Sequence, residues 1–165
     1  MVFPAALLLA AAVPLTSPAA KDSVPTGPNA PRAAATSASC RSPMLDYTSS
    51  TQGGNWTTSL TYVDIPEASV TFEQKKAGCI IVKFDGPAYV FGTAVEDVAA
   101  FLDGNEMFPG EIVFGSGDYA YWNSRAASWV ATNVTAGAHT VQMKFESTDG
   151  QNVNIDVHTT AVWHN

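Results

Sequence analysis

Apolar and polar residues alternate with a period of two over much of the chain beyond residue 55. This period is typical of β-strands that bury one face and expose the other. The positions predicted to share a buried face are Trp56, Thr58, Leu60 and Tyr62 in a first strand, Val70 and Phe72 in a second, and Ile80, Val82 and Phe84 in a third. Cys79 has the opposite parity to the third group, so its side chain is expected to point outward.

Two further alternating runs lie near the C-terminus, at residues 141–146 and 153–157. The turn signal Asp149-Gly150 separates them. Because Asp-Gly between alternating runs is a strong short-range hairpin signal, the sequence predicts that these two strands pair directly.

The segment 93–104 fits both a strand and a short helix. Thr93 and Glu96 have capping-box spacing, and apolar residues follow at helical intervals. From Val98 onward, every second residue is also apolar, as in a strand. We favour the strand, and either outcome leaves the fold class unchanged.

Turn signals separate these runs at short intervals, for example Gly86-Pro87 and Pro109-Gly110. Short alternating strands with frequent turns are typical of antiparallel sandwiches. No internal repeat is visible. The prediction is therefore an all-β chain with a single antiparallel β-sandwich domain of jelly-roll-like topology.

The N-terminal third of the chain has a different composition. Residues 1–20 are predicted to be a signal peptide, because an apolar run is followed by the small residues Ser17 and Ala19. Residues 21–45 are rich in Ala, Pro, Ser and Thr, which predicts a linker. The sandwich would then occupy residues 46–165. We expect a secreted, extracellular protein with no membrane insertion after signal removal.

Cys40 and Cys79 are the only two cysteines in the sequence. In an exported protein, two cysteines are expected to form a disulfide. A reactive thiol would need a nearby cation or helix N-terminus, and the Ala-Gly-Cys-Ile-Ile-Val context of Cys79 offers neither. The bridge would tie the incoming segment to a central strand.

The formal net charge of −7 limits the classes of partner. Binding to nucleic acid needs a basic patch, so a nucleic-acid partner is not expected. The sequence also lacks a phosphate-binding loop and a dinucleotide fingerprint, and no cofactor is expected.

Several segments together resemble exported bacterial β-sandwich domains of jelly-roll-like type. They are residues 63–66 and 70–72, residues 78–84, residues 101–104, residues 109–114 and residues 136–141. These are turn and core positions, so the resemblance implies a fold and no particular activity. No catalytic residue is implied by it.

A group of aromatic residues is the first candidate site. Tyr119, Tyr121 and Trp122 follow a glycine-rich segment, and the amide of Asn123 is adjacent. Flat rings that stack on sugar faces, beside neutral hydrogen-bonding groups, are what a carbohydrate site requires. Because neighbouring residues in a strand point to opposite faces, these rings cannot all be buried on one face.

Metal binding is not predicted. The histidines at 139, 158 and 164 lack the close ligand spacing of a zinc site. The segment 103–106 is oxygen-rich, as a calcium loop would be, but its Asp-Gly-Asn sequence is typical of a turn.

An enzyme is not favoured either. A glycosidase needs two carboxyl groups that face each other, and no pair stands out in the sequence. The acids that could supply one are Glu96, Asp97, Asp103, Glu111 and Asp118. The Gly115-Ser-Gly117 segment does not have the spacing of a nucleophile elbow.

These observations lead to a hypothesis of a non-catalytic secreted binding module for a glycan or cell-envelope polymer. Two alternatives stay open. One is a structural domain that assembles with copies of itself, using the outward row Thr57, Ser59, Thr61 and Val63. The other is a small secreted hydrolase.

Overall fold

A computed structural model of the protein describes residues 40–117 and 122–165. The predicted signal peptide and most of the predicted linker lie outside these residues. The described part of the chain forms strands, and it includes no helix that is long and apolar enough to cross a membrane. The strands are β1 Met44–Ser50, β2 Asn55–Thr57, β3 Val63–Gln74, β4 Gly78–Val90, β5 Val95–Leu102, β6 Asn105–Glu106, β7 Ile112–Ser116, β8 Asn123–Val134, β9 Gly137–Ser147, β10 Val153–Ile155 and β11 His158–His164.

The strands form two antiparallel sheets that pack as a sandwich, which confirms the predicted fold class. Sheet A contains β1, β2, β4, β8, β10 and β11, with the long strand β4 at its centre. Strand β8 pairs along one side of β4, while β11 and then β10 pair along the other side. Sheet B has the order β3-β9-β5, and β6 and β7 both pair with β5.

The core lies between the sheets and follows the predicted alternation. Ile80, Val82 and Phe84 of β4 are fully buried, and they belong to one apolar cluster with Val141, Met143 and Phe145 of β9. The largest buried side chain is Trp129 of β8, whose indole Nε1 donates a hydrogen bond to the Gly110 carbonyl at 2.7 Å. Burying such side chains contributes about 1.5–3 kcal/mol each, which makes this layer the main source of stability.

Segment 93–104 is a strand, as favoured from the sequence. Strand β5 pairs with β9 from Glu96 to Leu102 and with β7 from Val95 to Val98. The register shifts between Glu96 and Asp97 on the β7 side. Sheet pairing on both sides therefore determines the conformation of a segment whose local pattern also fitted a helix.

The first predicted strand is much shorter than its pattern indicated. Strand β2 ends at Thr57, and residues 58–62 form no strand before β3 begins at Val63. In between, the Ser59 hydroxyl bonds to the Thr61 carbonyl. Because serine and threonine hydroxyls can satisfy nearby backbone groups, they stabilise a turn where the alternation predicted a strand.

The predicted C-terminal hairpin is wrong. Strand β9 pairs with β3 and β5 in sheet B, whereas β10 pairs with β2 and β4 in sheet A. The Asp149-Gly150 turn thus carries the chain from one sheet to the other. Alternation specifies which side chains face the core, and two strands facing each other across the core meet that requirement as well as two paired strands do.

The N-terminal end of the described chain is joined to the centre of sheet A. The disulfide Cys40–Cys79 is present, with a Cα–Cα distance of 5.7 Å. The Ser42 hydroxyl also donates to the Cys79 carbonyl at 3.0 Å. Met44 and Leu45, which the sequence analysis placed in the linker, belong to β1.

Candidate functional site

The outward face of β4 supports the candidate site. Every second residue of this strand points away from the core, and the outward residues are Lys83, Asp85, Pro87 and Tyr89. Phe91 continues this parity just beyond the end of the strand. The strand therefore presents charged groups in its middle and aromatic rings at its C-terminal end.

Four aromatic rings lie in contact at that end of sheet A, and we call Trp56, Tyr89, Phe91 and Trp122 the aromatic surface. Tyr89 is at its centre, with ring centroids 5.8 Å from Trp56, 5.1 Å from Phe91 and 4.9 Å from Trp122. The rings of Trp56 and Phe91 are 5.7 Å apart. These separations fall in the range of favourable aromatic pairs.

Strand register explains how residues so distant in sequence meet. Asn154 of β10 is the direct partner of Trp56 on one side and of Tyr89 on the other. On the far side of β4, Ala88 pairs with Asn123, so Trp122 lies beside Tyr89. Adjacent strands are about 4.8 Å apart, which makes the row from Trp56 to Trp122 roughly 14 Å wide.

The rings of this surface are unusually open to solvent for large apolar side chains. Trp122 is 51% exposed, Trp56 is 48% exposed and Phe91 is 44% exposed. Single exposed apolar residues are ordinary, but a contiguous group is the usual mark of an interaction site.

A buried polar side chain lies within the same row. Asn154 is fully buried, and neither its Oδ1 nor its Nδ2 has a hydrogen-bond partner. Val153 and Ile155 on either side of it belong to the core, so Asn154 has the outward parity of Trp56 and Tyr89. Leaving a buried amide unpaired costs about 1–3 kcal/mol. The fold bears this cost at a position between two aromatic side chains of the site.

A polar groove of about 560 Å³ continues from the aromatic surface along sheet A. It begins at Pro87 and Ser124, the pair next to the Tyr89 row, and it runs past Asp85, Lys83 and Arg125. Lys83 and Asp85 form an ion pair at 3.8 Å. The outward face of sheet A thus combines an apolar end with a groove that offers donors and acceptors.

Only part of the site predicted from the sequence lies on this surface. Trp122 does, whereas Asn123 pairs with the core residue Ala88 and so has the opposite parity. Tyr119 and Tyr121 lie outside the described residues, and their role stays a prediction. Of the predicted site residues that the structure describes, only Trp122 lies on the aromatic surface.

The sequence reasoning missed Tyr89, Phe91 and Asn154. A signal for the first two was present, because they continue the outward parity of β4 beyond the buried positions Ala88 and Val90. No sequence signal places Asn154 between Trp56 and Tyr89. That contact exists because the chain crosses from sheet B after β9 to sheet A, where β10 pairs with β2 and β4.

The turn at 103–106 is held by its own side chains. Asp103 Oδ1 accepts from the Thr140 backbone N–H at 2.9 Å, and Asp103 Oδ2 is 2.6 Å from His139 Nδ1. Burial opposes ionisation of Asp103, but these hydrogen bonds outweigh it and lower its pKa. The bond to Asp103 raises the pKa of His139. The Asp103 carboxylate is therefore engaged in holding the turn.

The other two histidines share the buried face of β11, as their even spacing allows. His158 packs on Phe84 with 5.5 Å between ring centroids, and its Nδ1 bonds to the Asp156 carbonyl at 2.9 Å. His164 Nε2 is 2.7 Å from Asp46 Oδ2. These contacts place both rings in the packing of sheet A.

The acids considered for catalysis are spread over different environments. Glu96 points into the core, where it is fully buried. Asp97 and Glu111 come together with Glu146 on the outward face of sheet B. Asp118 lies outside the described residues. The cavity of about 560 Å³ has a single acid in its lining, Asp85.

The outward row proposed for self-assembly is not a strand face. Thr57 ends β2, Ser59 and Thr61 lie in the turn that follows, and Val63 begins β3 in the other sheet. The four residues therefore span both sheets and do not form a flat surface.

Sequence comparisons identify no family for this chain. No protein-family model matches it, and no curated protein matches it.

Among solved structures, several β-sandwich domains are similar. One is the C-terminal domain of EclA, a sugar-binding protein, at 14% identity and a TM-score of 0.41, covering 81% of this chain and 86% of that chain. A family 35 carbohydrate-binding module from Clostridium thermocellum is 20% identical with a TM-score of 0.37, covering 70% and 90%. A structure of infectious bursal disease virus, Gx strain, is 10% identical with a TM-score of 0.41, covering 86% and 37%. These likenesses are distant.

Proposed function

We propose that the domain is a non-catalytic binding module that takes a polysaccharide on the outward face of sheet A. The observation that carries the proposal is the aromatic surface, in which three half-exposed rings contact one another or Tyr89 on a sheet face. The polar groove that continues from it would receive the rest of the chain.

Sugar rings match such a surface chemically. A pyranose has an apolar face of C–H groups and a rim of hydroxyls, so it needs a flat apolar partner flanked by hydrogen-bonding groups. Trp122 and Trp56 supply flat rings near the two ends of a row of roughly 14 Å, which allows contact with more than one sugar unit.

The hydrogen-bonding groups lie directly beside the rings. Ser124 and Arg125 line the near part of the groove, and Asp85 and Lys83 line the middle.

We also propose that the module works outside the cytoplasm. The Cys40–Cys79 disulfide suits an oxidising compartment, where such bridges persist. The predicted signal peptide at residues 1–20 would direct the chain there.

Trp122→Ala and Trp56→Ala are each expected to weaken polysaccharide binding at least tenfold. Removing one stacked ring costs about 1.4 kcal/mol, and both rings are half-exposed and lie outside the hydrophobic core. Retention on insoluble polysaccharides and on purified cell-wall material would identify the polymer. Titration calorimetry with its soluble fragments would then give the affinities.

Phe108→Ala is the matched control, because Phe108 is 77% exposed and lies outside the aromatic surface. It should bind like the parent. If the parent is retained on no polysaccharide, or if Phe108→Ala loses as much affinity as Trp122→Ala, the proposal fails.

A further inference from the structure

A second cluster of side chains lies on the outward face of sheet B. Asp97 of β5 is the direct cross-strand partner of Glu146 of β9, and Glu111 lies just before β7, which pairs with β5 on its other side. One carboxylate oxygen from each of the three residues lies within 4.8 Å of the other two. Like charges directly opposite each other destabilise a sheet, so the fold maintains this arrangement at a cost.

The centre of the cluster is a buried carboxylate with an unsatisfied oxygen. Asp97 is only 7% exposed, and its Oδ1 is buried without a hydrogen-bond partner. The Tyr62 hydroxyl is likewise buried without a partner. Burial first, and then the negative charges of Glu146, Glu111, Glu106 and Asp97, raise the pKa of Tyr62. This hydroxyl therefore belongs to the same electronegative environment.

No basic side chain in the described parts of the chain neutralises the cluster. The ion pairs found there do not include Asp97, Glu111 or Glu146. The nearest lysine on the same strand face, Lys144, instead bonds to Asp64 at 3.0 Å and lies 5.0 Å above the Phe101 ring. Burial and the neighbouring acids raise the pKa of both Asp97 and Glu146.

We propose that Asp97, Glu111 and Glu146 bind a calcium ion on the outward face of sheet B. Asp97 supplies the inner carboxylate, Glu146 is half-buried and Glu111 is exposed, so the site is anchored inside and open to solvent for entry. A bound cation turns the mutual repulsion of the three acids into attraction.

The ligand chemistry selects calcium over other cations. All three ligands are carboxylates, and hard oxygen ligands suit Ca²⁺ and Mg²⁺ rather than zinc or copper. Two oxygens that share one Ca²⁺ lie at most about 5 Å apart, twice the usual bond of 2.3–2.6 Å, and the observed separations meet this limit. Carboxylates from two strands and from the residue that precedes a third suit the adaptable coordination of Ca²⁺ better than the strict octahedron of Mg²⁺.

Titration of the chelator-treated protein with Ca²⁺, and with Tb³⁺ as a luminescent probe, tests this proposal. We expect a dissociation constant for Ca²⁺ on the order of 10⁻⁴–10⁻³ M, as in extracellular modules. The melting temperature should rise with Ca²⁺ by mass action. Tb³⁺ emission excited through aromatic residues should saturate and be reversed by Ca²⁺, since Tyr62 lies beside the site.

Asp97→Asn should weaken Ca²⁺ binding at least tenfold, whereas the matched control Glu73→Gln, an exposed acid on β3, should leave it unchanged. Glu146→Gln gives a second variant at the edge of the site, should Asp97→Asn not fold. The proposal is overturned if millimolar Ca²⁺ leaves the melting temperature unchanged, or if both site variants bind Ca²⁺ like the parent. Polysaccharide retention through the aromatic surface is a separate readout, because that surface lies on the other sheet.

Discussion

Replacing both Cys40 and Cys79 by serine is expected to lower the free energy of unfolding by about 4 kcal/mol. The bridge closes a loop with a sequence separation of 39, and removing such a constraint returns roughly this much conformational freedom to the unfolded chain. For a domain of this size, the melting temperature should fall by about 15 °C.

The position of the bridge makes this loss important for the architecture. The closed loop contains β1, β2 and β3, so it links strands of both sheets to the central strand β4. In sheet A, strand β1 pairs only with β11. The disulfide joins the segment that precedes β1 directly to β4. The register shift opposite Cys79 places its extra residue in β8, because Gly78 pairs with Val134 and Ile80 pairs with Ala131. Cys79 therefore keeps the outward parity of β4, and alternation alone directs its side chain toward the incoming segment.

Thermal and urea unfolding of the oxidised parent, the dithiothreitol-treated parent and the double variant would measure this effect. The reduced parent should have the same melting temperature and the same urea midpoint as the double variant. Ser42→Ala is the control, since it keeps the bridge and removes only the contacts of the Ser42 hydroxyl with the Cys79 carbonyl and the two bridge sulfurs, which should cost about 1 kcal/mol. A double variant that melts within a few degrees of the oxidised parent would disprove the assigned role of the bridge.

Glu96→Gln is expected to stabilise the domain at pH 7 by about 3 kcal/mol. Glu96 is fully buried, and neither of its carboxyl oxygens has a hydrogen-bond partner. Burial, with a smaller contribution from the Asp97 charge, raises its pKa to about 9. The native protein therefore holds a neutral carboxylic acid at pH 7, whereas the unfolded chain ionises it.

The sign of the pH dependence follows from this difference. Below pH 4.5 the carboxyl is protonated in both states and contributes no penalty. As pH rises from 4.5 toward 9, the unfolded chain releases a proton that the folded protein keeps, so stability falls throughout this window. By pH 7 the loss is about 3 kcal/mol, and glutamine, which cannot ionise, does not suffer it.

Urea unfolding at pH 5 and pH 8 would measure this dependence in the parent and in Glu96→Gln. We expect the parent to have a lower midpoint at pH 8, and the variant to show a smaller difference. His139 contributes in the same direction, because its raised pKa means that stability is lost as pH rises through it. Glu73→Gln serves as the surface control, and because it also removes a charge that helps to raise the pKa of His139, it shows how much of the dependence comes from that histidine. A parent with equal midpoints at both pH values would contradict the assignment.

Sequence parity predicted the buried positions of the long strands, but Trp56 and Leu60, which were predicted on a buried face, are 48% and 64% exposed. Parity predicted the strand partners poorly. The burial of Ile80, Val82 and Phe84 was predicted from alternation alone, and it holds in β4. The alternation on both sides of Asp149-Gly150 predicted that β9 and β10 form a hairpin, and this prediction is wrong. Parity is a local property of one strand, whereas pairing depends on which sheet the chain enters after a turn.

Strand pairing brings the residues of the candidate site together, and the parity of each strand does not predict that pairing. Trp122 was found because its aromatic neighbours in sequence stand out, yet its neighbour in space is Tyr89, more than thirty residues away. Trp56 was predicted to lie on a buried strand face, whereas β10 brings its exposed ring within one strand of Tyr89. The acids Asp97, Glu111 and Glu146 meet in the same way, through three adjacent strand segments of sheet B.

The sequence by itself determined the all-β class, the buried faces of the long strands and the Cys40–Cys79 bridge. Each of these follows from local period or residue type. Only the tertiary structure decided the sheet membership of β9 and β10, the aromatic surface, the acidic cluster and the inward position of Glu96 beside Asp97. Those features are contacts between strands far apart in sequence, and the packing of two sheets around one core selects them.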